Sequence, residues 1–473
     1  MNSARIFGVT MTLASLAVLG GRDGRAQAVR PIAYSRFVLQ NGLVALVNED
    51  HSAPLVAVDV WYHVGAKDEQ QGHTGLSHLC EHLMGEGSPN EPLPAKVFIQ
   101  SIGGTSAHWG ATSEDVTHFF ATAPSNQLET MLWLESDRMA APLSRADSTH
   151  VASVKSVIAQ ERAQNRETPV FGVADGLTLE WLFPPGSPYA IDPVGPMTYL
   201  RSATAADAKA FCLPYYVPNN AIVSLSGDVT AANAKILITK YFGDIARGAT
   251  PPRATIPDLS PSPETRAVLE DARARVPRLR IAWPGAAFSN PDRVALKALV
   301  SVLTRDRTGR LSKALVYDLG LATRVVADNF DDERAGIFQI EVFPRPEASL
   351  TRIEQVVDSV IAMLPAQPAT REELEAFAKS NAVLATTTLQ TRAMRADTLA
   401  HGEVFAGDPV AYAKQAQRAF DVTSADVTRV ARQYLTGHRV VLSMVPAGKL
   451  NLISKPTLPY QNITPASQAK VTP

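Results

Sequence analysis

The stretch "GLSHLCEHLM", Gly75 to Met84, carries His78, Glu81 and His82 within little more than one helical turn. Read as a helix, it has two unlike faces. At about 100° per residue, His82 falls about 40° to one side of His78 and Glu81 about 60° to the other. Leu76, Leu79, Cys80, Leu83 and Met84 take the opposite side, the pattern of a helix laid on a core. Thr74 is a candidate N-cap, and Gly85 and Gly87 stop the helix.

Two neutral imidazoles one turn apart can hold one zinc ion from the same side. Glu81, beside them, is free to take a proton from water that the metal has acidified and to pass it to a departing amine. H-x-x-E-H is the inverted form of the H-E-x-x-H zinc motif. A histidine pair on a helix is also an ordinary surface feature, so a third ligand decides between the readings. "STHVASVKSVIAQERAQNRE" supplies a candidate: Val151, Val154 and Ile158 recur at helical spacing, and Glu161 continues their stripe. A carboxylate on an apolar face needs a compensating partner, which a metal or a nearby arginine provides. Glu167 points elsewhere. His63, His73, His108 and His118 lack ligand spacing to the motif, and Asp68-Glu69 reads as a solvated turn in preference to a pair supporting the metal ligands.

The chain has 473 residues, enough for at least two domains. With 45% hydrophobic and 19% charged residues it is globular. A net charge of −1 gives no reason to expect nucleic acid as a partner. Residues 1–28 run from a basic start through a short apolar stretch to Ala26-Gln27-Ala28, the layout of a cleaved secretory signal. The apolar run is short for a bilayer span, so no stable membrane insertion is expected after cleavage, and a periplasmic or secreted location is. Cys80 and Cys212 are too few for a disulfide framework and are expected as two reduced buried thiols.

Around residues 248–264, "GATPPRATIPDLSPSPE" has neither helical nor strand period and reads as a linker. It separates a domain at 29–247 from one at 265–460, with 461–473 as a tail. The halves look related. Thr204 pairs with Thr423, Asp207 with Asp426, Tyr215 with Tyr434 and Ser224 with Ser443, all at the same offset. "RFVLQNGLVALVNED" reads as a hairpin about Asn41-Gly42, "LVAVDVWYHVG" as a strand, and "SNQLETMLWLESDRMA" as an amphipathic helix. Hairpins with paired helices favour an α+β class, two homologous domains each with a mostly antiparallel sheet packed by helices.

On these residues the chain resembles the pitrilysin, insulin-degrading and mitochondrial-processing-peptidase family of inverted zinc peptidases. "VWYHVGAKDEQQGHTGLSHLCEHLMGEGS" is similar to that family's strand, loop and zinc helix, and "GGTSAHWGATSEDVTHFFATAP" to its edge strand. "VIAQE" is similar to its third-ligand segment, and "YYVPNNAIVSLSGDV" to the last strand of its first domain. The resemblance implies His78, His82 and Glu161 as Zn2+ ligands, Glu81 as general base, and extended peptides as substrates. It also implies a half-chamber that pairs with a homologous sister subunit. Three departures from the family stand out. Val154 stands where a second glutamate is usual, and His108, Trp109 and Gly110 stand near a usual Asn-Ala. In "GRLSKALVYDLGLAT", Val316 and Thr323 occupy the places of an arginine and a tyrosine that hold substrate. These departures imply a zinc endopeptidase subunit completed by a sister chain, or a non-catalytic peptide-binding or assembly subunit of the same fold.

Overall fold

The computed structural model describes residues 29–105, 109–195, 197–256, 263–346 and 348–463. The signal read at 1–28, His108, the middle of the linker and the stretch 464–473 lie outside the described residues.

Two six-stranded sheets organise the chain. The first holds β1 (Ser35–Val38), β2 (Val44–Glu49), β3 (Leu55–Tyr62), β4 (Gly110–Thr112), β5 (Thr117–Pro124) and β6 (Ala221–Gly227), in the order β1-β2-β6-β3-β5-β4. The second holds β7 (Thr265–Asp271), β8 (Arg278–Pro284), β9 (Ala322–Asp331), β10 (Gly336–Pro344), β11 (Val440–Pro446) and β12 (Gln461–Ile463), in the order β12-β7-β11-β8-β10-β9. The hairpin read about Asn41-Gly42 is β1–β2, closed by Gly42 at φ 93°. Asn41 fastens that turn by donating to the carbonyls of Phe242 and Ile245 at 2.7 and 2.9 Å.

The duplication is visible in the order itself. β6 and β11 span equivalent positions of the repeat and sit third in their sheets. Each pairs in parallel with one neighbour and antiparallel with the other. Each follows a helix opened by a capping box, Thr204 with Asp207 and Thr423 with Asp426. The copies diverge at one edge, where β1 is antiparallel to β2 but β12 is parallel to β7.

Each sheet buries one face under its own half and the other under a helix lent by the opposite half. Leu399 and Ala400 of the helix Arg392–Ala406 pack on Leu46, Trp61 and Ile222 of the first sheet, and Ser224 donates to the Ala396 carbonyl at 2.7 Å. In return Phe171 and Ala174 cover Ala267, Leu269, Leu442 and Met444 of the second, while Leu182 and Phe183 cover Ala282, Ile337 and Val440. This explains why nearly all of β3 is buried, although its sequence alternates.

The expectation of two reduced thiols is corrected: Cys80 and Cys212 form a disulfide across 132 positions, with Cα atoms 6.1 Å apart. The helices Leu76–Met84 and Ala205–Cys212 pack side by side and bring two fully buried cysteines together. Spacing in sequence carries no information about that pairing.

Glu354 anchors the second half. It is buried under Arg266 (2.5 Å), Lys455 (2.7 Å) and Arg439 (3.0 Å). Burial opposes its ionisation, but hydrogen bonds from Arg266, Lys455 and Ser454 outweigh that and pull it from 4.5 to about 2. Its stabilisation is therefore whole above pH 4.5 and is lost as pH falls toward 2, where the folded carboxylate protonates last. Denaturant titrations at pH 6 and pH 3 should show a loss of stability that Glu354→Gln makes smaller; an equal loss in the variant would refute this assignment.

Candidate metal centre

The motif helix spans Leu76–Met84 and starts one residue later than Thr74 predicts. Gly75 is the cap residue, at φ 92°, and carries no side-chain acceptor. Glu69 does the capping instead: its carboxylate accepts from Gly75 N (2.7 Å), Ser77 N (2.8 Å) and Ser77 Oγ (2.5 Å). The solvated turn read at Asp68-Glu69 is thus corrected, since both residues and Lys67 are buried. Burial pushes the Glu69 carboxyl up to about 7 despite those donors. At the other end Arg138 donates to the Met84 carbonyl at 3.2 Å, its guanidinium 4.1 Å from the Trp109 ring centre. The apolar face predicted for the helix is buried, and the histidines are half-buried on the other side.

His78 Nε2 and His82 Nε2 stand 3.1 Å apart, and Glu161 Oε2 lies 3.3 and 3.2 Å from them. Glu161 comes from the helix Ser148–Arg162, whose Val151, Val154 and Ile158 are buried as the stripe predicts. Hydrogen bonds from His78 and His82 hold its carboxyl well below the usual carboxylate range. Three potential ligand atoms face one point, and the two imidazole nitrogens could ligate a metal only on giving up the protons they donate to Glu161. Their separations fit neighbouring ligands of a tetrahedral zinc ion, roughly 3.3 Å apart for bonds of about 2.0–2.1 Å. Two imidazoles and one carboxylate leaving a side open are the donor set of a catalytic rather than a structural zinc site.

Glu81 is buried beside this triangle without joining it. Its Oε2 accepts from Thr112 Oγ1 at 2.7 Å. A Cβ at Gly110 would lie 2.6 Å from Glu81 Oε1, so only glycine leaves room for the carboxylate. Thr112 is a residue that sequence reading missed, and the parts played by Glu69 and Gly110 were not foreseen; a glycine within a strand, where a side chain would block close approach, was the one available signal. If Glu81 is the general base of a hydrolase, Thr112→Val should lower turnover about tenfold by removing the hydrogen bond that positions its carboxyl group, with Thr112→Ser near wild type. Steady-state kinetics on the two variants checks this; equal losses in both would refute it.

Among the described residues, the second half places no arginine or tyrosine at the departures. Val316 packs against its core, and Thr323 donates to the Phe343 carbonyl at 3.0 Å. Tyr317 is half-exposed, 5.5 Å from the Arg307 guanidinium. His63 pairs with Glu333, His73 stacks on Tyr199, and His118 bonds Asp59.

Comparison with known proteins identifies the family. Residues 44–175 match the sequence profile of insulinase, peptidase family M16, and residues 202–380 that of the peptidase M16 inactive domain. The chain is 25% identical over 428 residues to a zinc protease, PqqE, of Helicobacter pylori, covering 89% of this chain and 94% of that one. The crystal structure of a protease from Helicobacter pylori superposes with a TM-score of 0.80 at 22% identity, over 88% of this chain and all of that one. The periplasmic protease PqqL from Escherichia coli gives 0.73 at 16% identity, over 89% of this chain but only 48% of that one. The chain belongs to peptidase family M16, with that family's pitrilysin-like two-domain fold.

Proposed function

We propose that this chain is the metal-binding subunit of a zinc endopeptidase acting on extended peptides or unfolded segments. The observation that carries the reading is the convergence of His78, His82 and Glu161 on one point, with Glu81 held beside it. Those three residues would hold Zn2+, which when bound supplies a Lewis acid. Glu81 accepts a proton from the attacking water and returns it to the departing amine nitrogen. Thr112 fixes the carboxylate for that transfer. β4, the outer strand of the first sheet, runs past Glu81 and offers its edge to a peptide added as a further strand.

A homologous sister subunit supplies the arginine and tyrosine absent at Val316 and Thr323. The double-length PqqL, whose chain this one half covers, supports such pairing. An exported location, periplasmic or secreted, is supported by the signal-like sequence of residues 1–28 and by a disulfide, which persists in oxidising compartments. No helix among the described residues is long and apolar enough to cross a membrane.

A second reading, a non-catalytic peptide-binding or assembly subunit, is favoured by one observation: Val316 and Thr323 lie in the segment matching the inactive domain. Cleavage of a quenched peptide by the purified chain, alone and mixed with its sister, separates the two. The peptidase reading expects hydrolysis on mixing, abolished by chelation and restored by zinc. Zinc retained at the His78–His82–Glu161 site with no hydrolysis under any pairing favours the binding reading. Full activity from a strictly monomeric preparation would refute the sister subunit.

A further inference from the structure

On the opposite face of the first sheet, three more metal-ligating groups meet at the seam between the halves. Asp59 comes from β3, His118 from β5 and Asp397 from the helix Arg392–Ala406. His118 Nδ1 lies 3.1 Å from Asp59 Oδ1 and 3.9 Å from Asp397 Oδ1, and all three donor atoms fall within 4.8 Å of one another. Asp59 is buried, and the other two side chains are only 16% and 33% exposed. The ring of His118 is fixed between Trp61 and Phe120, with centroids 4.6 and 5.0 Å away.

The charges do not balance. Two carboxylates face a single imidazole, and among the described residues Asp397 accepts no hydrogen bond. Like charges held this close in a half-dry seam are unfavourable without a cation or a proton between them. Other cations nearby are committed: Arg293 and Lys297 both pair with Asp331. His401, next along the same helix, is driven by burial down to about 4 and stays neutral. The indole N–H of Trp61, whose ring is tilted against that of His118, is buried and has no acceptor among the described residues.

We infer that Asp59, His118 and Asp397 form a second divalent-cation site, distinct from the His78–His82–Glu161 centre, that staples the first sheet to the helix of the opposite half. One imidazole nitrogen and two carboxylate oxygens suit Zn2+ or Mn2+, with water in the remaining positions. The inference does not depend on the peptidase reading. A cation here binds only when both halves are docked, so it stabilises the docked state.

The test counts metal with the first centre disabled. The full chain carrying His78→Asn and His82→Asn is dialysed with Zn2+ or Mn2+, washed, and its metal measured by emission spectrometry beside its melting curve. One equivalent per chain and a melting temperature raised by a few degrees are expected. Both should be lost on adding Asp397→Asn or His118→Gln. No bound metal, or an equivalent that those substitutions leave in place, overturns the site. Should the double variant fail to fold, the wild type is expected to fall from two equivalents to one with Asp397→Asn. One equivalent in both chains overturns the inference, and a lower melting temperature alone would then mark an ion pair.

Discussion

Glu81→Gln should leave the metal in place and lower peptide hydrolysis, measured with the sister chain present, by about 10²–10⁴-fold, the usual contribution of a positioned general base. The substitution keeps size and shape, so the buried contact with Thr112 and the close approach over Gly110 survive. What it removes is an acceptor for the water proton. Because Glu81 stands outside the triangle of His78, His82 and Glu161, zinc content should match wild type. Glu161→Gln tests the division of labour: it weakens the donor set itself, so metal and hydrolysis should fall together. Zinc lost with Glu81→Gln, or hydrolysis within tenfold of wild type, would remove Glu81 from this role.

Breaking the disulfide should lower the unfolding free energy by about 2–5 kcal/mol, the range for bridges closing long loops. Cys80→Ala with Cys212→Ala closes no loop in the unfolded chain, where the native bridge spans 132 positions. The variant differs from wild type at two fully buried positions, so part of the loss comes from lost packing. Denaturant titration of the oxidised wild type, the reduced wild type and the double variant separates these contributions. Cys80 lies between His78 and Glu81 on the motif helix, so metal affinity should fall with stability. Equal midpoints for oxidised and reduced wild type would show that the bridge contributes nothing.

The helix face bearing His78, Glu81 and His82 was legible because periodicity is local: it depends on residues one turn apart. The stripe ending at Glu161 was legible for the same reason, and the repeat offset carried the equivalence of β6 and β11. What escaped the sequence depends on contacts between distant segments. Glu69 caps the motif helix from a loop that polarity alone marks as solvated. The Cys80–Cys212 bridge depends on two helices lying side by side. His118 had no ligand spacing to the motif because its neighbours, Asp59 and Asp397, sit on another strand and in the other half of the chain.

The exchange of covering helices has a consequence for dissection. Excising residues 29–247 would strip Leu46, Trp61 and Ile222 of their lid, while the remainder would lose the cover over Leu442 and Met444. Either fragment made alone exposes a broad apolar surface and is prone to aggregate. A single cut in the Pro-rich linker, by contrast, leaves both lids seated, and the nicked protein should elute as one particle. The two halves behave as a handshake rather than as beads on a string. Neither can be borrowed as an autonomous module, although, but for one edge strand, their sheets share one strand order.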